Sequence, residues 1–196
     1  MQRELLVATR NTGKIREFAA MLDALNVRWL NLNEAGISEN VAETGDSFQA
    51  NAILKAKTYA KKAGLLTLAD DSGLEVDALD GAPGIYTARY GGDALTPEER
   101  YRLLLHNMRG VPWARRCARF RCVIAVASDK GQLLASAEGI CEGLIANEPA
   151  GEGGFGYDPI FYLPEMDQTM AQISSSTKHL ISHRGQALQA VKPALK

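Results

Sequence analysis

Glu4-Leu5-Leu6-Val7-Ala8-Thr9-Arg10-Asn11-Thr12-Gly13-Lys14 opens the chain with a short apolar run that breaks into a polar, glycine-bearing turn. From Ile15 to Leu25 apolar residues recur at helical spacing, so the segment reads as strand, turn and helix. An opening βα unit points to an α/β fold.

The pattern continues outward from this unit. A strand is expected at Val27 to Leu30, and Asp46 or Ser47 caps a helix over Phe48 to Ala63 that Gly64 closes. Leu65 to Ala69 is a second buried strand, expected to end at Asp70-Asp71-Ser72-Gly73. Thr96-Pro97-Glu98-Glu99 supplies a cap, a proline at the first helical position and a capping-box glutamate for a helix reaching Met108. Arg116 to Ala127 and Leu133 to Ile145 flank a turn at Asp129-Lys130-Gly131 and read as an antiparallel hairpin, which makes the expected sheet mixed. A glycine-rich stretch, Gly151 to Pro159, precedes Ile160 to Leu163, and a helix is expected through Gln186 to Leu195.

The length suits a single domain spanning residues 1–196, with or without a division into two lobes, and is ample for a core covered on both sides by helices. The 196 residues, 46% hydrophobic and 23% charged with a net charge of -1, describe an ordinary globular chain and give no electrostatic footprint for nucleic acid. No run approaches the roughly 20 apolar residues of a membrane helix, and Met1 to Ala8 lacks a signal-peptide core, so the cytoplasm is the expected compartment. Three cysteines, Cys117, Cys122 and Cys141, form no CxxC pair and read as small buried apolar residues.

Four segments can carry chemistry. The turn from Thr9 to Lys14 brings a hydroxyl, an amide and a lysine to a helix N-terminus, a plausible triphosphate cradle. It is not a Walker A loop, because the first glycine is missing and Ile15 stands where the metal-binding Ser or Thr belongs; alone, it reads better as a capped turn with a surface lysine. Asp70 and Asp71, joined by Glu43, offer the oxygen ligands that Mg²⁺ prefers, against the alternative of an acidic turn. Gly153 to Asp158 combines a mobile backbone with Phe155 and Tyr157, suited either to stacking on a flat ring or to filling a core. Lys178, His183 and Arg184 gather donors for a phosphate or carbonyl oxygen, or form a solvated basic helix face. His179 and His183 have the spacing of two helical zinc ligands, but the glutamate of HExxH is absent.

Together these segments resemble the inosine/xanthosine triphosphate pyrophosphatase family. The resemblance rests on Ala8-Thr9 with Asn11 and Gly13-Lys14, Glu43-Thr44-Gly45, Asn51-Ala52 with Leu54-Lys55-Ala56, and Ala69 to Leu74. It continues through Gly81 to Tyr86 with Ala88-Arg89-Tyr90, Gly153 to Pro159, and Ile181 to Gly185. It departs at Ala50, where many relatives carry Glu, and at Ser176-Thr177, where an acidic pair is common.

What the resemblance implies is an elongated mixed α/β fold of two lobes with the site in a central cleft, assembled as a homodimer. It further implies Mg²⁺-dependent hydrolysis of ITP, dITP and XTP to monophosphate and pyrophosphate, keeping these nucleotides out of DNA and RNA. Asp71 would be general base and metal carboxylate, and Glu43 would help hold Mg²⁺. Thr9, Asn11, Lys14, Lys55 and Ser72 would contact substrate, while Phe155, Gly156, Tyr157, Asp158, Lys178, His183 and Arg184 would enclose the base and its phosphates. A Maf-like pyrophosphatase acting on pyrimidine or modified nucleotides is the enzymatic rival, and a nucleotide-binding regulator the non-enzymatic one. A Nudix enzyme is set aside, because no REUxEExGU-type helix is present.

Overall fold

The computed structural model describes residues 3–23 and 27–195, and its first elements are the expected strand β1 (Arg3–Val7) and helix α1 (Thr12–Leu22). Helix α1 begins earlier than Ile15 because Asn11 caps it, its side chain accepting from the Lys14 N–H. Leu25, the expected end of this helix, lies outside the described residues. Strand β2 (Val27–Asn31) pairs parallel with β1, Leu5 opposite Trp29. Helix α2 (Phe48–Ala63) has the predicted bounds: Ser47 caps it, and Gly64 ends it in the left-handed conformation that glycine adopts without penalty.

Strand β3 (Leu66–Val76) pairs parallel with β1 and runs straight through Asp70-Asp71-Ser72-Gly73, where the sequence reading ended it. Helix α3 (Pro97–Asn107) carries the complete Thr96/Glu99 capping box. Strands β4 (Cys117–Ala127) and β5 (Leu133–Ile145) form the expected hairpin, with β6 (Phe161–Leu163) and β7 (Gln168–Thr169) added antiparallel beyond β5. The sheet order is β2-β1-β3-β4-β5-β6-β7, so its parallel and antiparallel parts make it mixed.

Helices α4 (Ser175–Ile181) and α5 (His183–Val191) are separated at Ser182, whose extended ψ of 154° breaks the hydrogen-bond ladder. His179 and His183 therefore lie on different helices, and the zinc spacing does not exist in space. Cys122 and Cys141 are buried as expected, whereas Cys117, at the start of β4, is exposed. Among the described residues, no helix is long and apolar enough to cross a membrane.

Two compact units divide the chain: Met1–Asp71, Cys122–Gly139 and Arg184–Lys196 form the first, Ser72–Arg121 and Ile140–His183 the second. In the first, Leu5 and Val7 of β1, Leu66 and Leu68 of β3, and Cys122, Ile124 and Val126 of β4 pack with Phe18 and Leu22 of α1 and Ala187, Leu188 and Val191 of α5. The period-2 spacing of the strand residues places them all on one face of the sheet.

In the second unit, Leu74, Val76, Leu104, Phe120, Ile145, Tyr157, Phe161 and Met170 form the core. Arg116 is buried beside that core and donates to the carbonyls of Ile145 (2.6 Å), Ala146 (2.8 Å) and Met108 (3.1 Å). Arg116→Ala takes the side-chain donor from Ile145 O and Ala146 O and leaves Met108 O with Val111 N alone, so it should lower unfolding free energy by about 3 kcal/mol. Urea unfolding followed by circular dichroism would register this as an earlier midpoint with an unchanged slope.

Candidate active site

Successive side chains of a strand point to opposite faces, so the adjacent Asp70 and Asp71 on β3 cannot serve one ligand. Asp70 shares the face of Leu66 and Leu68 and meets α1 and α5. Its Oδ2 lies 2.8 Å from Lys14 Nζ and 3.4 Å from Arg184 Nη2, and Arg184 Nη1 donates to Glu17 Oε2 at 2.6 Å. Asp71 turns the other way, toward α2, where Lys55 Nζ donates to its Oδ1 at 3.0 Å and to Glu43 Oε1 at 2.7 Å. Of the two aspartates, Asp71 is the one that shares a lysine with Glu43.

The two carboxylates are tuned in opposite directions. Burial pushes Asp70 up, but the charges of Lys14, Arg184 and Lys55 outweigh it and hold this carboxyl well below the usual range. Burial also pushes Asp71 up, and Glu43 adds to the rise, so that Lys55 and Lys14 offset it only in part and the pKa stays raised. Burial would lower Lys55, yet Asp71, Asp70 and Glu43 keep its ammonium firmly protonated. Cys122 Sγ lies 3.9 Å from Asp70, and burial first and that charge second push its thiol up to about 12. It is inert in this setting.

A hard divalent cation fits the Asp71 side. Asp71 Oδ2 is buried without a hydrogen-bond partner among the described residues, and Glu43 brings a second carboxylate to the same ammonium. No three His, Cys, Asp or Glu side chains among the described residues form a closed cage. Two carboxylates are enough for a hard cation that keeps several waters and takes substrate oxygens as its remaining ligands. The turn leading into α1 stands in the same unit. There Thr9 Oγ1 accepts from Asn11 N at 3.2 Å, Asn11 Oδ1 accepts from Lys14 N at 3.0 Å, and a helix N-terminus supplies partial positive charge. Asn51, beside the unusual Ala50, accepts from Gly45 N at 2.8 Å through its Oδ1.

The second unit gathers the aromatic and basic residues. Asp158 Oδ2 accepts from Phe155 N at 2.7 Å and from Lys178 Nζ at 2.5 Å, and the Lys178 ammonium stands 4.9 Å from the centroid of the Phe155 ring. Gly154 has φ +69°, and a Cβ there would fall 2.0 Å from Asp158 Oδ2, so the loop admits only glycine at this point. Tyr157 is buried, its hydroxyl donating to Thr87 O at 3.0 Å. His183 stacks on Phe120 at 4.8 Å, and Ser72 sits half-buried on β3. Gly156 has φ +63°.

Sequence reasoning missed Glu17 and Thr87. Glu17 carried a readable signal, an acid three residues after Lys14 on the same face of α1. Thr87, which donates to Gly84 O at 2.6 Å and accepts from Leu74 N at 2.8 Å, carried none, because its partners are backbone atoms.

Comparison with known proteins follows this geometry. The Ham1 family description matches residues 5–194. A dITP/XTP pyrophosphatase of Bacillus licheniformis is 44% identical over 98% of this chain and 98% of that protein. The dITP/XTP pyrophosphatase of Bacillus subtilis is 43% identical over 100% of this chain and 98% of its own length. Among solved structures, a HAM1 protein from Coxiella burnetii superposes with a TM-score of 0.88 at 40% identity, covering 99% of this chain and 98% of that one. The Ham1 protein of Staphylococcus aureus gives 0.85 at 40% identity over 98% of each chain.

The buried cluster around Asp70 makes a stability prediction. Its folded-state pKa lies below the unfolded value of about 3.9, so its stabilisation is present above about pH 4 and fades as pH falls toward the folded-state value. Asp70→Asn takes the carboxylate from Lys14 and removes one of the two that Arg184 meets, and should cost about 3–5 kcal/mol at neutral pH. In urea unfolding, the gap from the unaltered protein should narrow as the pH drops below about 4.

Proposed function

The chain belongs to the Ham1 family, and from that premise we propose that it hydrolyses ITP, dITP and XTP to the monophosphate and pyrophosphate. The names of its relatives supply dITP and XTP; ITP carries the same deaminated base and joins them. The observation that carries the catalytic reading is Asp71: a buried carboxylate with a raised pKa and an unpartnered oxygen, beside Lys55 and Glu43.

In the proposed reaction, Asp71 orients a water at the α-phosphorus and takes its proton as the new P–O bond forms. The bond from the α-phosphorus to the bridging oxygen breaks, and that oxygen leaves with pyrophosphate. Glu43 and Asp71 would hold Mg²⁺, which when bound neutralises charge on the phosphate oxygens. Lys14 and Lys55 stabilise the leaving pyrophosphate, and Thr9 and Asn11 place its oxygens at the N-terminus of α1. Ser72 adds a further contact to the substrate.

Recognition of the base is assigned to the second unit. Phe155, with Gly156 and Tyr157 shaping its loop, offers a ring for stacking, while Asp158, Lys178 and His183 provide polar partners. A 6-amino or 2-amino purine would leave such buried partners unmatched, which is the physical basis for rejecting ATP and GTP. The same family resemblance supports a homodimer, and the cytoplasm stays the proposed compartment.

Pyrophosphate release from ITP, XTP, ATP, GTP, dTTP and UTP, with Mg²⁺ and with excess EDTA, tests the reading. Turnover favouring ITP and XTP and abolished by EDTA is expected; pyrimidine preference would make the chain Maf-like, and binding without turnover would make it a regulator. Asp71→Asn should lower kcat by about 10²- to 10⁴-fold while the unfolding midpoint stays close to that of the unaltered protein. Full activity in this variant would remove Asp71 from the role of base.

A further inference from the structure

Residues 32–47 join β2 to α2 without regular secondary structure, an unusual length for a connection inside a compact unit. The stretch is nevertheless anchored along one stripe of α2, where Asn51, Lys55 and Tyr59 stand four residues apart. Asn51 Oδ1 accepts from Gly45 N at 2.8 Å, Lys55 Nζ donates to Glu43 Oε1 at 2.7 Å, and Tyr59 Oη accepts from Val41 N at 3.0 Å and donates to Glu39 O at 3.3 Å. Four residues of helix rise about 6 Å and two of near-extended chain reach about 7 Å at most, so loop and helix stay in step over these three contacts. Gly45 lies against the helix: a Cβ there would come within 2.7 Å of both Ala50 Cβ and Asn51 Oδ1. Thr44 N donates to Ala42 O at 3.1 Å, a three-residue turn centred on Glu43.

The other end of the loop is fastened by Arg10. Its guanidinium donates to Asn33 Oδ1 at 2.8 Å, Ile37 O at 2.7 Å, Glu39 O at 3.3 Å and, through Nε, Asn40 Oδ1 at 3.0 Å. Arg10 sits between Thr9 and Asn11 in the turn assigned to the phosphates, yet its donors are committed to the loop. One planar fork thus ties the phosphate turn to the segment that delivers Glu43.

We propose that Arg10 and Tyr59 are positioning residues that set Glu43 against Asp71 and thereby set the affinity of the site for a divalent cation. The proposal rests on the reading of Glu43 and Asp71 as the carboxylates that meet the ion. It extends that reading to two side chains that touch neither ion nor substrate.

The test is Mn²⁺ titration of Arg10→Ala and Tyr59→Phe, followed by electron paramagnetic resonance without nucleotide, alongside the Mg²⁺ dependence of turnover. Arg10→Ala should weaken Mn²⁺ binding about tenfold and Tyr59→Phe by a smaller factor, the scale on which partners of metal ligands act. Half-saturating Mg²⁺ should rise in parallel, while kcat at saturating Mg²⁺ and KM for nucleotide stay near those of the unaltered enzyme. Arg10→Lys should not restore affinity, because an ammonium cannot span acceptors from Asn33 to Asn40. Unchanged Mn²⁺ affinity in both variants overturns the proposal, as does a fall in kcat that high Mg²⁺ does not recover. Tyr59→Phe removes one oxygen and keeps the inference testable if Arg10→Ala folds poorly. Should the unaltered protein turn over no nucleotide while Mn²⁺ affinity still falls in the variants, the pyrophosphatase reading fails and the positioning role stands.

Discussion

Two neighbouring carboxylates buried in one strand can persist only if each is compensated separately, and the first unit is arranged around that requirement. The pleat of β3 sends Asp70 to α1 and α5 and Asp71 to α2, so each aspartate meets its own cations. On Asp70's side, Lys14 and Arg184, with Glu17 balancing the arginine, make a closed ionic cluster inside apolar packing. On Asp71's side compensation is partial, by a lysine shared with Glu43 and with one oxygen left over. A chemically useful carboxylate and a structural one thus differ by a single step along the chain.

The elements that local chemistry determines were legible from the sequence. Ser47 and Gly64 bounded α2, and Thr96, Pro97 and Glu99 opened α3, because caps act within a few residues of themselves. Strand β3 was read too short, since charged residues inside a strand are paired by partners far away in sequence and periodicity cannot see them. The break at Ser182 between α4 and α5 was likewise hidden, because nothing there is a glycine or proline. Among the candidate residues, those with side-chain partners of opposite charge were foreseeable as chemistry. Arg10 and Thr87 were not, because Thr87 acts on backbone groups that any sequence possesses, and Arg10 on two backbone carbonyls and two uncharged asparagine amides far along the chain.

The glycine-rich loop of the second unit is held by a hub rather than by regular structure. Asp158 gathers the amide of Phe155 and the ammonium of Lys178, and the missing side chain at Gly154 makes room for it. Tyr157 extends the hold to Thr87, which in turn anchors Leu74 of β3. A glycine-rich loop is therefore given one defined shape, so an aromatic ring presented on it need not be ordered anew when it meets a partner.

Arg184 lies 167 positions after Glu17 and 114 after Asp70, yet its guanidinium joins both. A ribosome adding about 5–20 residues per second releases the first α-helix long before this arginine exists. Until residues 184–191 emerge, Asp70 has Lys14 but not Arg184, and the core of the first unit lacks Ala187, Leu188 and Val191. A nascent chain that has not yet reached Arg184 is therefore incomplete at the centre of this unit rather than merely frayed at an edge.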